Sequence, residues 1–103
     1  MAGRMRIRAQ KKGDNTEVKV LMQHPMETGL RKDDAGETIP AHFITHVTAT
    51  VGDRTVMESQ WGAAVSQNPF LSFRFQGAEK GDKLKIAWKD NQGETAETTT
   101  SIR

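Results

Sequence analysis

Apolar and polar residues alternate with period two through almost the whole chain. This restricts the fold to half-buried β-strands, because only a strand sends successive side chains to opposite faces. Met5, Ile7 and Ala9 alternate with Arg4, Arg6 and Arg8, and Val18, Val20 and Met22 alternate with Glu17, Lys19 and Leu21. Residues 42 to 51, HFITHVTATV, put Phe43, Thr45, Val47, Ala49 and Val51 on one side and His42, Ile44, His46, Thr48 and Thr50 on the other. Leu71, Phe73 and Phe75 share a face, as do Leu84, Ile86 and Trp88. Turn residues punctuate these runs: Gly52 and Asp53 form a two-residue hairpin into residues 54 to 61, Lys80-Gly81-Asp82 turns the chain again, and Asp90 to Gly93 leads into a threonine-rich last strand. Seven short strands with turns about every 8 to 12 residues predict an all-β fold, an immunoglobulin-like antiparallel β-sandwich formed by a single domain over residues 1 to 103.

A chain of 103 residues supports one core and not two. Its 35% hydrophobic and 27% charged residues suit a folded globular protein, and no apolar run is long enough to cross a bilayer, so no membrane association is expected. The complete lack of cysteine excludes disulfides, a thiol nucleophile and a thiolate zinc site within the chain. The N-terminal MAGRMRIRAQ lacks the apolar stretch of a secretory signal, which leads to the expectation of a cytosolic protein, or of one exported by an indirect route. Arg4, Arg6, Arg8, Lys11 and Lys12 make this end basic, whereas later cations are interleaved with acids and the six aromatics suit strand cores better than a stacking platform. Nucleic-acid binding is therefore not expected.

Candidate chemistry is sparse. His42 and His46 would lie roughly 13 Å apart on a strand, too far to share a metal ion. Met22, His24 and Met26 offer two thioethers and an imidazole, the soft donor set that Cu(I) accepts, so a copper-binding module is the alternative reading; otherwise Met22 joins the core and His24 ends its strand. Glu27, Asp33, Asp34 and Glu37 crowd one polar connection without a positioned base, and Ser59, Ser66 and Ser72 have no nucleophile-elbow context. No catalytic residue and no cofactor is expected. Two long connections, His24 to Pro40 and Gly62 to Pro69, are the places where a sandwich of this size would carry function.

Four segments in order, HPMETGLRKD (24 to 33), IPAHFI (39 to 44), WGAAVSQNPFLSFRF (61 to 75) and AWKDNQGE (87 to 94), closely resemble the SoxZ family, the Z subunit of the SoxYZ sulfur carrier of thiosulfate oxidation. The resemblance implies an immunoglobulin-like, non-catalytic, periplasmic subunit. It would pair with a SoxY-type subunit whose C-terminal cysteine carries the sulfur, travel through export with that signal-bearing partner, and contact other sulfur-oxidation enzymes transiently. On this reading Met26, Glu27, Arg31 and Lys32 either line the contact with the Y subunit or help present its carrier arm, where the two cations would favour an anionic adduct. Pro69 and Phe70 form a second candidate patch, and Leu21, Ile44 and Phe70 are expected on an outer sheet face that a partner covers.

Overall fold

A computed structural model describes residues 5 to 103. Seven strands follow in order: β1 Met5–Lys12, β2 Asn15–Met22, β3 Ile44–Val51, β4 Arg54–Gln60, β5 Phe70–Gln76, β6 Lys83–Asp90 and β7 Thr95–Ser101. They form two antiparallel sheets, β1-β2-β5 and β4-β3-β6-β7, so the predicted seven-stranded sandwich is the fold observed. In a constant-type immunoglobulin domain the fourth strand lies with the first, second and fifth; here β4 has moved to the opposite sheet. No helix among the described residues is long and apolar enough to cross a membrane.

The alternation read from sequence faces inward as expected in most strands. Val18, Val20 and Met22 of β2 meet Val47 and Ala49 of β3 and Leu84, Ile86 and Trp88 of β6 in one buried cluster, joined by Ala9, Phe75 and Ile102. One expectation fails at the start of β3. Ile44, placed by simple alternation on the outer face, is fully buried, because the pairing of β3 with β6 shifts register between Ile44 and His46. The extra residue of this bulge reverses the parity of the strand, so Ile44 enters the core together with Val47.

The two sheets are tied along one side through residues 102 and 103. The Lys11 amide donates to the Arg103 carbonyl (2.7 Å), and the Arg103 amide donates to the Ala9 carbonyl (3.0 Å). Ile102 is anchored beside them by the Asp82 carbonyl, which accepts from its amide at 2.9 Å.

Candidate functional site

The connection from β2 to β3 is polar but not loose. Glu27 and His42 exchange backbone hydrogen bonds at 2.7 and 2.9 Å, Lys32 bridges Thr38, and Asp33 Oδ1 accepts from the amides of Ala35 and Glu37 at the tip. The result is an irregular hairpin. Glu27 and Arg31 form an ion pair across it, and the guanidinium holds the Glu27 carboxyl below its ordinary value. Leu30 stands at 86% exposure beside Arg31 and the exposed Lys32.

At the base of this hairpin lies a buried polar cluster. His24 continues the inward parity of Val18, Val20 and Met22, and Asp90 continues that of Leu84, Ile86 and Trp88, so both polar side chains project into the sandwich end. Asp90 Oδ2 receives His24 Nε2 at 3.0 Å and His42 Nε2 at 2.8 Å, while its Oδ1 accepts from the Gln92 and Glu94 amides. Burial pushes the Asp90 carboxyl up, but the hydrogen bonds from His24, Glu94, His42 and Gln92 together outweigh it and hold the group below its usual value. The two imidazoles pack edge to face at 4.6 Å, and Trp88 closes the far side of His24 at 5.0 Å.

His24 is fixed further by its neighbours. Asn68 brackets its backbone, the Asn68 Oδ1 accepting from the His24 amide and the Asn68 amide donating to the His24 carbonyl. The ring Nδ1 accepts the Met26 amide at 3.1 Å, which places the proton of a neutral ring on Nε2, facing Asp90. Met26 adopts a positive φ of 49°, unusual for a side chain of its size, and its sulfur accepts the Ile44 amide at 3.4 Å.

These contacts decide what the cluster can do chemically. The ligand atoms of His24, His42 and Asp90 lie within 4.8 Å of one another, the spacing of a metal site. Ligation through His24 Nε2 would move the ring proton to Nδ1, where it would meet the Met26 N–H donor, so the hydrogen bonding favours a proton-filled clamp over a metal centre. The copper set fares no better: Met22 is sealed in the core, His24 is engaged at both nitrogens, and the Met26 sulfur serves Ile44. His42 and His46 are separated as expected, with His46 exposed on β3.

The expected interface residues divide into two groups. Leu21 (46% exposed) and Phe70 (63%) sit directly opposite each other on β2 and β5, and Arg31 and Lys32 are exposed on the hairpin. Met26, Ile44 and Pro69 are buried, and Glu27 is mostly covered, so Met26, Ile44 and Pro69 present no side-chain surface to a partner. Pro69 instead accepts the Met22 amide through its carbonyl. The His24–Asp90–His42 clamp and the exposed Leu30 were not anticipated. The first was signalled by polar residues at inward parity, the second only by a leucine within a charged run.

The fold and these surfaces define an immunoglobulin-like module whose exposed features are a hairpin and one sheet face, braced by a buried histidine–carboxylate clamp. The chain belongs to the family described as sulphur oxidation protein SoxZ, whose model matches residues 5 to 101. No curated protein sequence matches it. Among solved structures it is similar to the hypothetical protein PH1083 from Pyrococcus horikoshii OT3 (TM-score 0.67, 17% identity, covering 99% of this chain and 89% of that one). It is also similar to the superoxide reductase (neelaredoxin) from Ignicoccus hospitalis (0.65, 16%, 99% and 80%) and to the superoxide reductase from Nanoarchaeum equitans (0.65, 12%, 96% and 91%). At these identities the likeness is one of fold.

Proposed function

We propose that this chain is the non-catalytic subunit of a periplasmic sulfur-carrier complex. It pairs with a SoxY-type subunit whose C-terminal cysteine holds the sulfur intermediates of thiosulfate oxidation, and it is exported together with that partner. The observation that carries this reading is the family match over residues 5 to 101 in a chain with no cysteine. A protein without a thiol can scaffold a covalent sulfur carrier but cannot be one. The closed hydrogen bonding of His24, His42 and Asp90 supports the same division of labour, since none of the three is left free as a base or ligand.

Native mass spectrometry of the tagged chain recovered from the periplasm of its host tests the proposal. The expected result is a one-to-one complex with a small cysteine-bearing subunit that carries reducible, sulfur-sized mass additions. Recovery of the chain alone, or holding copper, would overturn it.

A further inference from the structure

The outer face of the β1-β2-β5 sheet has a composition that the isolated chain does not explain. Its outward residues stand in rows set by the register: Arg6, Leu21 and Phe70; then Arg8, Lys19 and Ser72; then Gln10, Glu17 and Arg74. Lys12 extends the face at the far end of β1. Five cations thus share it with one carboxylate among the described residues, and that carboxylate, Glu17, lies 3.2 Å from Lys12. Arg8 and Lys19 are direct cross-strand partners, an arrangement of like charges that destabilises a sheet. Beside them the apolar Leu21–Phe70 pair lies in the open, and Arg6, Ile7, Arg8, Lys19, Leu21 and Phe70 together line a depression of about 290 Å³.

An uncompensated positive ring around a small apolar centre fits one class of occupant: a protein surface that supplies carboxylates to Arg6, Arg8 and Lys19 and one aliphatic or aromatic side chain to the depression. A polyanion such as nucleic acid would satisfy the cations but leave Leu21 and Phe70 without a partner. We infer that this face is where the cysteine-bearing carrier subunit docks, through an acidic surface with an apolar anchor. The inference rests on the carrier reading above and adds to it the face used and the chemistry of the matching surface. The Arg8–Lys19 repulsion is the internal mark of such a face: its cost to the lone subunit is recovered when carboxylates arrive between the two cations.

The test is titration calorimetry of the intact chain against the cysteine-bearing subunit from the same host, at about 50 and 500 mM salt, with K19E and F70S variants and thermal melts of each unbound chain. On this inference K19E melts no lower than the natural chain, because the new carboxylate attracts Arg8 where the lysine repelled it, yet it weakens association at least tenfold. F70S also weakens association, and high salt weakens the natural complex at least tenfold. A natural complex that both variants leave unchanged would overturn the docking face while leaving the carrier reading intact. Failure of the natural chain to bind the subunit at all would overturn both. Variants that lose only retention on a heparin column, with subunit binding unchanged, would reassign the face to nonspecific polyanion attraction.

Discussion

His24 Nε2 and Asp90 Oδ2 lie 3.0 Å apart although 66 residues separate them in sequence, and neither side chain touches solvent. The pair joins the end of β2 in one sheet to the end of β6 in the other, and His42 brings the base of the hairpin to the same oxygen. One carboxylate thereby sets the relative position of three segments.

Removing that carboxylate leaves two imidazole donors and the Gln92 and Glu94 amides facing an empty site. Asp90→Ala is therefore expected to cost about 3 kcal/mol or more, since each buried unpaired donor costs about 1 to 3. Denaturant unfolding followed by Trp88 fluorescence measures it; a loss below about 1 kcal/mol would mean that water replaces the carboxylate freely.

The same group gives the protein an acid limit. Its folded value lies below that of an unfolded aspartate, so its contribution is fully present above about pH 4 and is lost as pH falls through the folded value. The stability gap between the natural chain and Asp90→Asn should accordingly be constant above about pH 5 and narrow below pH 4. Unfolding midpoints across that range give the gap directly.

The two histidines are expected to differ in importance. His24 is sealed and holds Asp90, the Met26 amide and, through its backbone, Asn68, whereas the side chain of His42 retains 18% exposure and can be replaced by solvent. His24→Ala should lower the melting temperature well beyond His42→Ala, by about 5 °C or more for a domain of this size. Equal losses would show that the clamp works only as a pair.

Met26 combines a buried side chain with a left-handed backbone. Met26→Ala keeps the unfavourable φ and empties a core site, for an expected loss of about 2 to 4 kcal/mol. A loss under about 1 kcal/mol would show that the hairpin base collapses into the space.

Leu30 is the most exposed large apolar side chain described and carries no packing role. Leu30→Cys is expected to leave the melting temperature unchanged. In the carrier complex it should intercept bound sulfur by thiol exchange, lowering the loaded fraction of the partner's cysteine. Intact-mass analysis after loading checks this; unchanged loading would show that the hairpin tip never meets the carrier arm.

Much of this architecture is legible in the alternation alone, because each inward position of β2 and β6 is apolar up to its last residue. The same parity marks His24 and Asp90 as inward, so two polar side chains entering one core was a readable sign of a clamp. Spacing drew attention instead to His42 and His46, which a strand holds apart, while the partners of His42 arrive from β2 and β6. The burial of Ile44 was not readable, since a bulge leaves no compositional mark and one added residue reverses every later position. The burial of Met26 and Pro69 depends on a loop path set by Asn68 and the His24 ring.

The backbone bonds from Arg103 to Ala9 and Lys11 impose an order on folding during synthesis. Of the seven strands, β1 is the first to leave the ribosome, yet it cannot be fastened to the second sheet until residue 103 has cleared the exit tunnel. Until then β1 can pair only with β2, and the sandwich closes after all seven strands have emerged. A tag joined directly to Arg103 would crowd the place where that last fastening is made.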